Sequence, residues 1–196
     1  MEEVDPITHE PIYCTKFAYH VEDKWEVGPV VHIVIKRTWY IFKIRQGVPI
    51  HPWKYYNGTD APCKYLTCED VEYSFERALV QDRVDGPMSL LYEPILNCFG
   101  ANLSDPDFGA KIDNAIQHNE THVWFNLPKR CAPFLKILCG TFSSILNEDW
   151  CIAHGDWPHT WNNWTLYYDP PVSPIEGDMC GTGPYKLDYW NRTVEY

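Results

Sequence analysis

Apolar side chains recur with a helical period between residues 65 and 79. Four of them, spaced at i, i+4, i+7 and i+8, fall on one face of a helix: Val71, Phe75, Ala78 and Leu79. The charged residues Glu72, Glu76 and Arg77 are expected on the other faces. The pattern predicts an amphipathic helix that packs its apolar face on the rest of the protein.

Polar residues mark the start of this helix. Thr67 supplies a side-chain oxygen for the unpaired amides of a first helical turn. Glu69 and Asp70 place negative charge at the positive end of the helix dipole. The helix is therefore expected to begin immediately after Thr67.

Shorter apolar patterns predict further helices and strands. Runs of β-branched and aromatic residues indicate strands over 30–35 and 39–45, expected to pair as a hairpin through Lys36 and Arg37. Strict alternation indicates another strand over 121–127. Helical stripes indicate helices after Pro87, over 105–118 and over 133–139, the last ended by Gly140. A final strand is expected over 185–190.

The segment from residue 149 to residue 168 is rich in tryptophan. Trp157, Trp161 and Trp164 lie four and three residues apart, which is helical spacing and favours a packed stripe on one helix face. Exposed rings at these positions would instead offer flat faces on which sugar rings or peptide side chains can stack. The sequence leaves both interpretations open.

Composition and charge exclude several classes of protein. The chain has 196 residues, of which 45% are hydrophobic and 15% aromatic, and this content predicts a packed globule rather than a disordered chain. A formal net charge of -11 opposes binding to nucleic acid. No apolar run reaches the length of a membrane span, and the first residues lack the basic and apolar regions of an export signal.

Motifs of the common enzyme classes are missing from the sequence. There is no Gly-x-Ser-x-Gly nucleophile turn, no His-Glu-x-x-His zinc helix and no glycine-rich phosphate loop. The histidines show no spacing typical of metal ligands, and His154 and His159 merely flank Asp156. We therefore expect no catalytic residues, no cofactor and no metal.

Two stretches resemble a known family. The first is Leu66-Thr67-x-Glu69-Asp70-Val71-x-Tyr73-Ser74-Phe75-Glu76-Arg77, which resembles a helix of the family 5 extracellular solute-binding proteins, the peptide, nickel and oligosaccharide receptors of ABC importers. The second is Gly181-Thr182-Gly183-Pro184-Tyr185-Lys186-Leu187, which is similar to a Gly-Thr-Gly-Pro-Tyr segment of the same family. Two motifs in the family's order argue against a chance similarity.

The resemblance implies a fold and a domain organisation. The fold is expected to be α+β: part of a lobe of the periplasmic-binding-protein type (type II, cluster C), with a mixed sheet and packed helices. Receptors of this family are much longer than 196 residues. Residues 1–196 are therefore expected to form a single partial domain, namely the small extra domain of the receptor plus the start of its return into the first lobe.

The resemblance also implies a function. We expect a non-enzymatic receptor domain of an ABC import system that binds oligopeptides or dipeptides. In the full-length protein it would act outside the cell, at the cell surface or in the periplasm, and deliver its solute to a permease. An oligosaccharide receptor and a free-standing interaction domain are the alternatives; nucleic acid and a direct membrane span are not expected. The candidate ligand-binding residues are aromatic: Trp161, Trp164, Tyr167 and Tyr185.

The cysteines gain meaning if the protein is exported. The chain has 8 of them, and an even number favours disulfides in an exported protein. Cys63 and Cys68 are the expected pair, because they close a short loop before the helix. Buried free thiols are the alternative, because cysteine often packs as a small apolar residue.

Overall fold

The structure is a computed structural model that describes residues 12–13, 18–19, 24–27, 30–33, 38–55, 58–61, 65–84 and 86–187. The strands within these residues are β1 (Ile12–Tyr13), β2 (Ala18–Tyr19), β3 (Lys24–Val27), β4 (Val30–Ile33), β5 (Thr38–Lys43), β6 (Ile116–His118) and β7 (His122–Leu127). The α-helices are α1 (Cys68–Gln81), α2 (Ser89–Leu96), α3 (Phe108–Ala115), α4 (Phe134–Ile137) and α5 (Glu148–Ala153). Short 3-10 turns lie at Thr141–Ser143 and Trp164–Tyr167.

Helix α1 begins where the sequence predicts. The Thr67 hydroxyl accepts a hydrogen bond from the Asp70 amide at 3.1 Å, and the Asp70 carboxylate accepts one from the Thr67 amide at 2.8 Å. This reciprocal capping box satisfies two of the amides that a helix start leaves unpaired. The predicted apolar face is buried at Phe75 and Leu79. Glu76 is fully buried as well, which contradicts its predicted place on a polar face.

Strand β7 is the centre of the main sheet. It pairs antiparallel with β5 on one side and with β6 on the other. The hairpin predicted between residues 30–35 and 39–45 is wrong, because β4 pairs with β3 and β5 pairs with β7. The observed pairing places Tyr40 opposite Phe125 and Phe42 opposite Val123, so the inward faces of β5 and β7 join into one apolar surface.

The apolar core lies between this sheet and the helices. Val123, Phe125 and Leu127 are buried, which confirms the predicted strand and its inward face. The Phe125 ring packs edge-to-face on Phe75 of α1, with 5.0 Å between ring centroids, and on Phe134 of α4, with 5.4 Å. Helix α2 also packs against β7. The helices therefore cover one face of the sheet.

Several elements differ from the predictions at their ends. Helix α2 follows Pro87 as predicted, and α4 lies within the predicted range 133–139. Helix α3 ends at Ala115 instead of continuing to His118, because Ile116 turns to extended backbone and begins β6. Pairing with β7 then satisfies the backbone of these residues. Residues 185–187 do not form the predicted strand, and residues 188–190 lie outside the described residues.

The α+β fold class is confirmed, and the strand pairings in the described part of the chain are antiparallel rather than mixed. Within the same residues, no helix is long and apolar enough to cross a membrane.

The structure does not support the predicted Cys63–Cys68 disulfide. Cys68 is a free thiol, and Cys63 lies outside the described residues. The physical reason is that Cys68, the first residue of α1, packs its side chain into the interior with 3% exposed. Burial raises the pKa of this thiol, which favours its protonated form. Here the alternative interpretation, a buried free thiol, is confirmed.

Candidate functional site

The tryptophan-rich segment is irregular rather than helical. Helix α5 is followed by an irregular stretch over residues 154–163 and then by the second 3-10 turn. Gly155 and His159 have φ angles of 82° and 54°, which are incompatible with a continuous right-handed helix. The predicted helical stripe of Trp157, Trp161 and Trp164 is therefore wrong in its geometry.

Trp157 is nevertheless a packed core residue. Its indole stacks on Tyr73 of α1, with 5.7 Å between ring centroids and 12° between ring planes. The Tyr73 hydroxyl donates a hydrogen bond to the Trp157 carbonyl at 2.9 Å. Trp161 then meets Trp157 edge-on, with 4.9 Å between centroids. The segment is thus tied to α1 through aromatic packing.

Trp161 and Trp164 come together on helix α3. A Cβ atom added at Gly109 would lie 2.8 Å from Trp164 and 3.0 Å from Trp161. Both indoles therefore pack directly on the helix backbone at this glycine. The Trp161 indole nitrogen donates a hydrogen bond to Asp113 at 2.9 Å. The Trp164 ring also packs on Phe108, with 5.9 Å between centroids. This close approach requires glycine at position 109.

The four predicted ligand-binding residues differ in exposure and place. Trp164 is 5% exposed and Tyr185 is 88% exposed, whereas Trp161 and Tyr167 are half-buried. The segment that carries Tyr185 hydrogen-bonds to the backbone of His51. The structure therefore brings Trp161 and Trp164 together at Gly109, whereas Tyr167 follows on the same segment and Tyr185 lies on another.

A buried charge network, which the sequence analysis missed, joins this segment to α1 and α5. His159 contacts Glu76 through Nε2 and Glu148 through Nδ1, each at 2.8 Å. Burial disfavours the charged imidazole, but hydrogen bonds to the two carboxylates outweigh it and raise the pKa of His159 to about 10. Burial raises the pKa of Glu76 to about 7 despite its hydrogen bond with His159. His159 is thereby fixed between two helices.

Asp156 forms a second buried network. Its carboxylate accepts hydrogen bonds from Arg77 Nε at 2.7 Å and from Gln81 Nε2 at 2.6 Å. It also accepts one from the Trp157 amide at 2.8 Å. Asp156 is 3% exposed, so its charge depends on Arg77 for compensation. The sequence did contain a signal, because Asp156 and His159 are ionisable residues within a strongly aromatic segment.

Asp70 links the starts of α1 and α5. Its carboxylate accepts hydrogen bonds from the Asn147 side chain at 2.9 Å and from the Glu148 amide at 2.8 Å. Asn147 in turn accepts a hydrogen bond from the Trp150 amide at 3.0 Å and so caps α5. The first turns of the two helices therefore lie side by side.

An open cleft of about 530 Å³ lies at the start of α1. It is lined by Gln46, Thr67, Cys68, Glu69, His118, Asn119 and Glu120. The volume is within the range of small-molecule sites. None of the four predicted ligand-binding residues lines this cleft.

Comparison with known proteins decides the family. The sequence model of the bacterial extracellular solute-binding proteins, family 5 Middle, matches residues 31–196. The chain belongs to this family. Both motifs of this family 5 chain, the helix at 66–77 and the segment at 181–187, lie within the matched residues, and the resemblance inferred from them is confirmed. A comparison with curated proteins found no match.

Solved structures include a similar protein. It is the ABC transporter-associated periplasmic binding protein DppA from Helicobacter pylori, in complex with the peptide STSA. The two sequences are 24% identical, and the TM-score is 0.43. The similarity covers 78% of the family 5 chain and 25% of the DppA chain. The family 5 chain therefore spans about a quarter of the length of this solved relative.

Proposed function

We propose that this chain is part of the solute-binding receptor of an ABC import system and that its solute is an oligopeptide or a dipeptide. The observation that carries the proposal is the family match over residues 31–196. The receptor would work on the outer side of the cell membrane, bind its solute without chemical change and deliver it to a permease. Residues 1–196 would form one partial domain of that receptor.

We assign the solute contacts to the aromatic residues singled out in the sequence. Trp161 and Tyr167 keep part of their surface exposed, and Tyr185 is almost fully exposed, so all three can contact a solute. Trp164 would support them from behind, because its indole packs on Phe108 and leaves 5% exposed. Aromatic side chains provide large contact areas at low conformational cost.

The burial of two indoles favours a peptide over a sugar. Sugar rings bind best on flat exposed indole faces, yet Trp157 and Trp164 are buried. An oligosaccharide receptor remains the second candidate, because the Trp161 ring is half-buried rather than covered.

A free-standing interaction domain is the third candidate, from a different class of protein. The observation in its favour is a set of large apolar side chains on the surface. Phe99 is 79% exposed and Leu166 is 78% exposed. Such side chains become buried when a protein associates with itself or with another protein.

Titration of the 196-residue chain tests these candidates. We expect di- to pentapeptides to bind saturably but weakly in calorimetry, because the chain covers 25% of its solved relative and association costs offset a small contact area. Submicromolar binding would contradict the expected weakness. Tryptophan fluorescence quenched by cello- or manno-oligosaccharides but not by peptides would favour the sugar receptor. A stable oligomer that binds neither would favour the interaction domain.

Variants locate the binding surface. Trp161→Ala and Tyr185→Ala should each weaken peptide binding, whereas Trp124→Ala on β7 should leave it unchanged. Circular dichroism establishes that each variant is folded. Peptide binding that is unaffected by both Trp161→Ala and Tyr185→Ala would contradict the assigned contacts while leaving the family assignment intact.

A further inference from the structure

We propose that Glu69, Glu148 and His159 form a binding site for a divalent transition-metal cation such as Zn²⁺. Each residue offers one ligand atom, and the three atoms all lie within 4.8 Å of one another. Glu69 is exposed, and the other two residues are half-buried, so the site is open to solvent on one side. The proposal does not depend on which solute the receptor binds.

The two glutamates of the site lie at helix starts that are joined to each other. Glu69 lies in the first turn of α1 and Glu148 in the first turn of α5. Asp70 joins these turns by accepting hydrogen bonds from the Asn147 side chain and the Glu148 amide. The fold therefore fixes the backbone positions of the two glutamates side by side.

A buried carboxylate behind the site orients the histidine. His159 Nε2 lies 2.8 Å from Glu76 Oε2, and Glu76 is fully buried. Histidines that bind metals usually give their second ring N–H to a carboxylate, which fixes the ring and makes the other nitrogen a better ligand. The arrangement leaves Nδ1 directed towards Glu148 at 2.8 Å. A cation would replace the proton between these two atoms.

Glu76 places a buried carboxylate, one of whose oxygens is unsatisfied in the described part of the chain, directly behind the site. Its second carboxylate oxygen, Oε1, is buried without a hydrogen-bond partner among the described residues. A buried carboxylate with an unsatisfied oxygen is costly unless nearby positive charge compensates it. A divalent cation that replaces the proton on His159 Nδ1 would increase the positive charge one hydrogen bond away from Glu76.

The donor set indicates the class of cation. One imidazole nitrogen and two carboxylate oxygens are ligands that Zn²⁺ accepts, with a fourth position left for water. Ca²⁺ and Mg²⁺ prefer six or more oxygen ligands, and an imidazole suits them poorly. The three ligands come from three separate segments of the chain, at positions 69, 148 and 159. This is why ligand spacing in the sequence gave no sign of them.

Calorimetric titration of the untagged chain with Zn²⁺ tests the site. We expect one saturable site, which Glu69→Gln weakens at least tenfold and His159→Gln abolishes. Glu93→Gln, the same change at an exposed position of α2, should leave the affinity unchanged. Glu76→Gln keeps the shape of the side chain but weakens the fixed orientation of His159, and it should cost about 10- to 100-fold in affinity.

The absorption spectrum of the Co²⁺ form separates this site from cysteine ligands. Cys68 neighbours Glu69, and free thiols bind Zn²⁺ strongly. Nitrogen and oxygen ligands give visible d–d bands without the near-ultraviolet charge-transfer band of a thiolate. A thiolate band, Zn²⁺ affinity equal in Glu69→Gln and the unchanged protein, or no saturable binding would each overturn the proposal. Circular dichroism of every variant establishes that lost binding is not lost folding.

Discussion

Helix α1 contacts two regions that are held together by different physics. Towards the sheet, its Phe75 packs on Phe125 of β7 with 5.0 Å between ring centroids. Towards the tryptophan-rich segment, its Arg77 donates a hydrogen bond of 2.7 Å to Asp156. One helix therefore joins an apolar region, formed with the sheet, to a region formed with residues 147–159, where buried charged pairs add to the stacking of Tyr73 on Trp157. These charged pairs are the polar side of α1.

The difference teaches what each region can tolerate. Apolar burial is non-directional and roughly proportional to area, so the sheet side should lose stability in proportion to the volume removed. Buried charges depend on particular partners, and removing one partner leaves the other unsatisfied. On the polar side, the loss of stability should therefore depend less on the side-chain volume removed than on whether both members of a charged pair are present.

The largest effect is expected on the apolar side. Phe125→Ala should lower the free energy of unfolding by about 3–5 kcal/mol, because it removes a large buried ring and leaves a cavity. Phe125 is 2% exposed and contacts Phe75 and Phe134. Urea unfolding followed by circular dichroism measures the change.

Leu166→Ala is the control for this prediction. Leu166 is 78% exposed, so its truncation should change the free energy of unfolding by less than about 0.5 kcal/mol. Similar losses in Phe125→Ala and Leu166→Ala would contradict the placement of the core between the sheet and α1.

A somewhat smaller loss is expected on the polar side. Asp156→Ala should cost about 3 kcal/mol, because it leaves the Arg77 charge and the Gln81 amide without their acceptor. The value lies at the low end for a buried pair, since the Arg77 side chain is 12% exposed and can still reach water. Urea unfolding again measures the change.

A double substitution sharpens this comparison. Arg77→Met combined with Asp156→Leu removes both charges and should cost less than Asp156→Ala alone, because no buried charge is left unpaired. The single variants Arg77→Met and Asp156→Leu are measured beside it. If the double variant lost as much free energy of unfolding as the two single variants together, the polar side would behave like the apolar side, and the distinction between them would be wrong.

The smallest effect is expected at Asp82, which ends α1. Its carboxylate accepts a hydrogen bond from the Ala101 amide at 3.0 Å. Burial raises the pKa of Asp82 above its ordinary value of 3.8; the bond from Ala101 opposes the shift, and the charge of Asp169 adds to it. A raised folded-state pKa favours folding below the ordinary pKa, and this contribution is lost as pH rises through the folded value.

Asp82→Asn should therefore stabilise the protein at neutral pH, by at most about 1 kcal/mol. Asparagine is neutral, keeps the acceptor oxygen and tolerates the positive φ of 28°. The gain should vanish as pH falls below the ordinary pKa of aspartate. Asp107→Asn, at an exposed position, is the control in unfolding measurements across this pH range. A gain that does not depend on pH would contradict the assigned cause.

The elements that could be predicted are those whose signals are local. The capping box of Thr67 and Asp70 and the alternation of Val123, Phe125 and Leu127 each arise within a few consecutive residues, and the structure contains both. The family followed from two short motifs for the same reason. Such signals depend on backbone geometry and burial, which neighbouring residues report directly.

Two of the errors arise from partners that are distant in sequence. The pattern placed Glu76 on a polar face. In the structure Glu76 is buried, and its carboxylate hydrogen-bonds with His159, which lies 83 positions later in the sequence. Helical spacing suggested one stripe for Trp157, Trp161 and Trp164. Because the backbone turns at His159, Trp157 packs on α1, whereas Trp161 and Trp164 pack on α3. Periodicity within one segment carries no information about a charge or a backbone turn supplied by another.

By itself, the sequence determined the capped start of α1 and the inward face of β7, because side-chain periodicity and capping act within one or two turns of backbone. The family and the α+β class followed from the resemblance of the two motifs to the family 5 proteins. Only the tertiary structure decided that β5 pairs with β7, that Cys68 stays a free thiol and that His159 lies between Glu76 and Glu148. These outcomes depend on which distant surfaces meet, and burying a charge or pairing a strand is favourable only once the whole chain has brought the partners together.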